Sequence, residues 1–269
     1  MKTSRIERAI ITLNARQMAA GGDSHIAGID PRALLAVTLV YLVAMLSVPV
    51  ADAGMLIWFA AYPIVSAPLA HLPYERVFRQ SLYVLPLLLV IGIFNPLFDR
   101  QTAFTAGSVA ISRGWVSFFS IILRGLLSVQ ALLILIYVAG FNRMCEAMRR
   151  LGMPRVLVTQ LLMVYRYLSV LLQETLSMHH ARTARGYGRS SYSPSMWGPF
   201  VGQLLLRTLE RSRRINMAMR ARGFAGSLLT AANSRWATAD TVYCLCWIPV
   251  ILLMRFADLS AIMLELVRK

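Results

Sequence analysis

Residues 154–186 read PRVLVTQLLMVYRYLSVLLQETLSMHHARTARG, and the placement of this stretch decides the fold. Val156–Gln173 is apolar enough to pass for a membrane span. Three features oppose that. Gln160, Arg166 and Gln173 lie within it, and such groups are costly at mid-bilayer. A crossing would carry Arg182, Arg185 and Arg189 to the outer side, against the bias that keeps basic residues inside. A return span would then be needed, and the only candidate, Met196–Leu206, is about 11 residues, too short to cross. The stretch reads instead as a helix packed along the membrane face and against other helices.

The rest of the chain is membrane-like. Hydrophobic residues make up 57% of 269 residues and mean hydropathy is +0.59, too apolar for an ordinary soluble domain. The reading is an all-α polytopic membrane protein with about five transmembrane helices. The candidate spans are Ala33–Val50, Gly54–His71, Ser81–Phe98, Trp115–Phe141 and Thr241–Phe256, each close to the ~20 apolar residues a bilayer needs. A loop around Asp99–Arg113 is expected outside. The net charge of +16 is concentrated. Fifteen arginines and three acids (Glu146, Glu174, Glu210) lie in residues 142–238, which marks that block as cytoplasmic. Arg5, Arg8, Arg16 and Arg32 put the N-terminus inside as well. Four regions follow: a cytoplasmic segment 1–32, four helices in 33–141, a polar helical region 142–238, and a last helix and tail 239–269. Positive-inside bias and anionic lipid explain the basic charge without nucleic acid. No apolar core of a cleavable signal stands in the first 30 residues. Three cysteines, at 145, 244 and 246, give no disulfide framework.

Within 142–238, Gly152-Met153-Pro154 reads as a stop and restart. A helix of about 30 residues then runs to Arg185. Ser190–Pro199 is a break, and another helix runs from about Trp197 to Arg222. Its first half is apolar (Val201, Leu204, Leu205, Leu206, Leu209) and its second half basic (Arg207, Arg211, Arg213, Arg214, Arg220). Periodicity alone favours a basic surface helix on lipid headgroups; the polarity gradient also suits a helix projecting toward a soluble partner. Both helices close on one motif, Ala184-Arg185-Gly186 and Ala221-Arg222-Gly223. One copy would be a helix end: the cation complements the dipole and glycine supplies a left-handed cap. Two copies in the long polar region point to paired helix ends that dock into something.

Catalytic chemistry is missing from the pattern. Lysine occurs only at positions 2 and 269, so no P-loop lysine is possible. His25, His71, His179 and His180 form no metal-site spacing. Arg124 is the main interior charge in the spans, a functional candidate by default, yet one arginine makes no translocation pathway. The chain reads as neither a proton-coupled carrier nor a membrane hydrolase, and as a non-enzyme that binds no metal or cofactor itself.

At these residues the chain resembles the transmembrane T-component of energy-coupling factor (ECF) transporters, the group that includes CbiQ. The resemblance covers nearly the whole chain. Asp30-Pro31-Arg32 leads into the first span like the family's opening motif. Arg166, Glu174 and Ala184-Arg185-Gly186 resemble the long coupling helix. Leu209-Glu210-Arg211 followed by Met217–Phe224, with Ala221-Arg222-Gly223 inside it, resembles the second. The resemblance implies two ABC ATPase subunits that carry ATP and Mg, and a membrane-embedded S-component that captures substrate. The T-component joins them in the inner cell membrane. Arg185 and Arg222 with their Ala and Gly neighbours would dock into the ATPases, supported by Arg166, Glu174, Glu210 and Arg211. Chain length, the polar lead before Asp30, Asn95-Pro96-Leu97-Phe98-Asp99-Arg100 and Arg207–Arg222 resemble the cobalt/nickel branch. The alternatives are a T-component shared among vitamin-binding partners, and a membrane scaffold with a basic face for lipid or proteins.

Overall fold

A computed structural model describes residues 28–49, 53–98, 102–106, 109–185, 197–224, 226 and 236–256. The N-terminal segment to residue 27, Asp99 and Arg100, the break 186–196 with Gly186, and the tail 257–269 lie outside the described residues. The elements in order are α1 (Pro31–Leu46), α2 (Ala53–Phe59), α3 (Ala61–Leu69), α4 (Tyr74–Ser81), a 3-10 turn (Leu82–Val84), α5 (Leu85–Gly92) and α6 (Phe94–Phe98). A hairpin of β1 (Thr102–Ala106) and β2 (Val109–Ser112) precedes α7 (Arg113–Ala139), α8 (Phe141–Arg150), α9 (Arg155–Arg185), α10 (Trp197–Ala221) and α11 (Thr238–Phe256). The described residues form two compact units: 28–147 with 236–256, and 148–224 with Gly226. The boundary falls inside α8.

By length and apolar composition four helical stretches can cross a membrane: Tyr74–Pro96, Gly114–Ala139, Arg155–Arg185 and Thr238–Phe256. The chain is an all-α polytopic membrane protein, with the antiparallel hairpin as a small addition. The set differs from the five spans read off the sequence. Pro31–Leu46 and Gly54–Leu69 are shorter apolar helices; α1, at 16 residues, rises about 24 Å, under the ~30 Å of a hydrocarbon core. α9 joins the set because an 18-residue stretch within it still has a mean hydropathy of 1.4, Gln160, Arg166 and Gln173 notwithstanding. Where a plain outer loop was expected, the backbone pairs Thr105 with Ala110 and Ala106 with Val109.

Prolines explain two interruptions. Pro63 has no N–H for the carbonyl of Phe59, four residues back. The chain breaks at Ala60 between α2 and α3, and the Tyr41 hydroxyl donates to the freed Phe59 oxygen at 2.9 Å. Pro86 likewise follows the 3-10 turn at Leu82–Val84. In this first unit α1 and α7 both run through two buried clusters. One cluster packs Val37, Tyr41 and Met45 against Leu56, Phe59, Leu127 and Ile251. A second packs Ala33 and Leu34 against Ala67, Val77, Ile134 and Val138. Tyr62 stacks on Tyr41 at 4.5 Å and meets the Trp247 ring edge-on at 4.9 Å. Where lipid is the solvent, apolar burial drives little, so close packing and polar pairs hold helices together. Gly125 of α7 is such a close approach: a Cβ there would sit 2.5 Å from a methyl of Leu88 on α5. Gln130, buried in α7, accepts from the Tyr74 hydroxyl at 3.3 Å, and Tyr137 donates to Gln80 at 2.6 Å.

Both ends of α1 are tied. At its C-terminal end Arg124 of α7 donates to the Val48 carbonyl at 2.8 Å, and Arg255 of α11 to that of Ser47 at 3.0 Å. Two cations thus sit where the helix leaves carbonyls unpaired and its dipole is negative. Arg124 has a structural task here, the one the sequence could not assign.

Candidate functional site

The second unit is a pair of helices, and their lengths match the sequence reading closely. α8 stops at Arg150, and Gly152 and Pro154 separate it from α9. α9 ends at Arg185 and α10 begins at Trp197. The two helices meet around Glu174 and Arg207, whose Nη1 donates to the Glu174 Oε1 at 2.6 Å. Both side chains are partly exposed, at 30% and 51%, so this ion pair orients the crossing more than it stabilises it. At the pair and to one side of it the facing side chains leave space. A cavity of about 250 Å³ is lined by Glu174, Arg207, Glu210, Arg211 and Arg214. An apolar groove of about 480 Å³ is lined by Met163, Tyr167, Ile215, Met219 and Phe224.

Beyond the crossing each helix continues toward its arginine motif. Glu174 precedes Arg185 by 11 residues, and Arg207 precedes Arg222 by 15, which is about 16 Å and 22 Å of helix. Ala184, Arg185, Ala221 and Arg222 are all exposed. Among the described residues neither arginine side chain has a hydrogen-bond or ion-pair partner in the chain. The end of α10 shows what the glycine does. Gly223 takes φ +75°; Phe224 N–H donates to Met219 O, and Gly223 N–H to Arg220 O, each at 3.0 Å. This is a Schellman cap, in which the residue after the helix must turn left-handed. The cap is made by backbone atoms alone, so the Arg222 guanidinium is left to solvent. Gly186 of the other motif lies outside the described residues.

Of the four residues expected to support these ends, Glu174 has the partner just described, and it is Arg207. Arg166 and Arg211 do not pair with it in the described contacts. Arg166 is exposed on α9, and Glu210 and Arg211 are exposed on α10 beside the cavity. Almost nothing in the pair is buried: Val158 in α9 and no residue of α10. Val164 is 66% exposed and Leu205 56%, which leaves apolar surface along both helices.

Asp30-Pro31-Arg32 lies in the first unit and works as a helix start. Asp30 is the N-cap of α1, its carboxylate accepting from Arg32 N–H at 3.0 Å, with Pro31 at the first helical position. Arg32 Nε stands 3.5 Å from the same carboxylate oxygen. The sequence reading missed the partner. Asp240, in the first turn of α11, accepts from its own N-cap Ala237 N–H through Oδ2 and from Asp30 N–H through Oδ1, both at 2.7 Å. One carboxylate accepts the N-cap N–H of two helices. Asp30 and Asp240 are each 1% exposed. Arg143 of α8 donates to the neighbouring Ile29 carbonyl at 2.9 Å.

Comparison with known families places this arrangement. The family described as CbiQ, cobalt transport protein, matches residues 22–231. That span takes in the Asp30 motif, the bundle helices α1 to α8 and both arginine-ended helices, and stops short of α11. The chain belongs to the CbiQ family. Two relatives are uncharacterized proteins of Methanocaldococcus jannaschii. One is 23% identical over 184 residues, covering 64% of this chain and 63% of the relative; the other is 28% identical over 106 residues, covering 39% and 40%. The chain therefore matches less than two thirds of the length of either. As a CbiQ-family chain it is a multi-pass membrane protein of a cobalt-transport family.

Proposed function

We propose that this chain is the coupling subunit, or T-component, of an ECF-type ABC importer for cobalt or nickel. It is non-catalytic and lies in the inner cell membrane with its N-terminus in the cytoplasm. Two ATPase subunits carrying ATP and Mg would bind the arginine ends of α9 and α10. A separate membrane-embedded S-component would hold the metal ion as cargo, and anionic lipid would meet the remaining basic surface. The observation that carries this reading is the α9–α10 pair: two long helices that meet at the Glu174–Arg207 ion pair, each ending in an exposed arginine without a partner among the described residues. A guanidinium offers a planar fork of donors that suits carboxylates and carbonyls on a groove floor. Alanine and glycine beside it keep the helix end slim. Helices this exposed are steadied by what covers them, and their apolar sides (Leu157, Val164, Val201, Leu205) offer that surface to neighbouring subunits. Nucleotide-driven movement of the ATPases would then turn the two helices as levers.

The test is recovery of the complex from mild detergent. Tagged chain should bring down two ATPase subunits and a small membrane protein, and vesicles holding that complex should accumulate Co²⁺ only with ATP. Recovery of the chain with neither subunit would leave the scaffold reading in its place. Sidedness is checked in a cysteine-free background: cysteines replacing Ser191 and Gln101 should react from opposite faces, and labelling of Ser191→Cys by an impermeant reagent in intact cells would reject the five-span topology.

A further inference from the structure

Within the second unit α9 and α10 run antiparallel and touch at two places. Arg207 holds Glu174 at 2.6 Å, and the Thr159 hydroxyl donates to the Gly226 carbonyl at 3.4 Å. The apolar groove lies between these ties. It extends from Thr159 to Leu171 on α9 and from Thr208 to Met219 on α10, roughly 16–18 Å of helix. Met163, Tyr167, Val170, Leu171, Ile215 and Met219 are half-buried along it, while the polar Gln160, Ser212 and Asn216 stay exposed. At one end the groove runs into the arginine-lined cavity: Val170, Leu171, Thr208 and Arg211 line both. The other end closes on Met219 and Phe224. The cavity holds Arg207, Arg211 and Arg214 against Glu174 and Glu210, and three guanidiniums against two carboxylates leave it one charge positive. Arg207 is engaged by Glu174. Arg211 and Arg214 have no hydrogen-bond or ion-pair partner among the described residues. The space is therefore amphipathic, apolar along its length and cationic at one mouth.

We propose that groove and cavity form one binding site for an anionic phospholipid, with an acyl tail between α9 and α10 and the phosphate on Arg211 and Arg214. The site rests on the membrane character of the chain and stands or falls apart from the coupling role. Length favours a tail: one leaflet is half of a ~30 Å hydrocarbon core, about 15 Å, close to the extent of the groove. Polarity favours it too. An extended peptide would carry N–H and C=O groups into a half-buried apolar slot, where they would need partners, and a tail brings none. A third helix, about 10–12 Å across, would lie over two helices that touch at both ends of the slot, not within it. At the mouth, guanidiniums fork onto phosphate oxygens, and basic pockets between apolar helices take anionic headgroups. Diffuse attraction of lipid to a basic surface needs no tail slot; this site holds one lipid per chain.

The test places the full chain in bilayer discs of phosphatidylglycerol and phosphatidylcholine with identical tails at equal mole fractions. Each lipid in turn carries a photoreactive diazirine in its tail, and cross-linked residues are mapped by mass spectrometry. Labelling should concentrate on Met163, Tyr167, Ile215 and Met219. Phosphatidylglycerol should label them about fivefold more than phosphatidylcholine, the preference one net positive charge confers. Arg211→Gln with Arg214→Gln, both at exposed positions, should abolish that preference. Glu210→Gln should raise it by about fivefold more, a direction that loss of structure cannot produce. Met163→Trp, which fills the slot, should cut labelling of Ile215 by either lipid. Equal labelling by the two lipids in the wild type overturns the site. So does labelling of the outward apolar residues Leu157 and Leu205 as dense as that of the groove, which marks annular lipid only. In complexes recovered with partner chains, labelling that emerges only once those chains are stripped away marks a protein seat and overturns the lipid site while leaving the coupling reading intact.

Discussion

Replacing Arg185 and Arg222 by alanine separates the proposed docking from helix capping, because the cap seen at the end of α10 uses backbone atoms only. The cap of α10 consists of Phe224 N–H to Met219 O and Gly223 N–H to Arg220 O. Neither bond uses the Arg222 side chain, so Arg222→Ala leaves the cap intact and removes only a cation from the negative end of an exposed helix. That costs about 0.3–1 kcal/mol at most, and the thermal transition of the isolated chain should hardly move. At a desolvated partner surface the same truncation strands the group it contacted, which typically costs on the order of 2–5 kcal/mol, or roughly 30- to 4,000-fold in affinity. Arg222→Ala and Arg185→Ala should therefore each weaken ATPase binding by at least about 30-fold, and the double variant should lose the ATPases during purification. Gly223→Ala is the control. It forces a β-carbon into φ +75°, costs about 1 kcal/mol of helix-end stability, and leaves the guanidinium in place. The assay is titration of immobilised chain with purified ATPase subunits, beside thermal unfolding in the same detergent. If the double arginine variant binds the ATPases with wild-type affinity, or if Gly223→Ala lowers binding as much as Arg222→Ala does, the docking argument fails.

Three further outcomes follow from the packing. Glu174→Gln and Arg207→Gln should each cost less than about 1 kcal/mol, since the pair is partly exposed; the double variant should cost no more than the larger single, and additive losses in thermal unfolding would mean that the two do not interact. Gly125→Val should destabilise the bundle by about 1–3 kcal/mol through collision with Leu88. Adding Leu88→Ala should recover part of that, and an equal loss in both backgrounds would reject the contact. Cys145 is buried in α8, and burial pushes its thiol up, so less of it is thiolate near neutral pH. With Cys244 and Cys246 replaced by serine, maleimide labelling at pH 7.5 should be at least about tenfold slower in the folded chain than after denaturation, and should keep rising above pH 9; equal rates in the two states would refute the burial.

What could be read from the sequence was whatever leaves a mark along one stretch of chain. The ends of α9 and α10 were legible because glycine, proline and serine punctuate them at 152–154 and 190–199. The apolar helices were legible by composition. Their interruptions were less so, since Pro63 and Pro86 were absorbed into spans that looked continuous. Partnerships across the fold left less trace. Glu174 had been grouped with Arg166, yet eight residues of helix put two turns and about 12 Å between them; the cation that reaches Glu174 is Arg207, on another helix. Asp240 stands 210 residues from Asp30, and its only local signal was an acid in the first turn of a helix. The four long side chains that fix α1 explain why such links are hard to see. Arg124, Arg143, Asp240 and Arg255 all bind backbone atoms of residues 29–30 and 47–48. A backbone N–H or carbonyl is present at every position, so the receiving side carries no residue-type signature. The need is nonetheless physical. A short helix in a low-water setting still leaves unpaired groups at both ends, and a charged side chain from a neighbour is an economical way to satisfy them. Arg124, read alone, was a functional candidate by default as an interior charge; seen with Arg255 across the end of α1, it is a ligand for a helix terminus. In the coupling role proposed above, the charges that act are then the exposed arginines at the ends of α9 and α10, not Arg124 within the bundle.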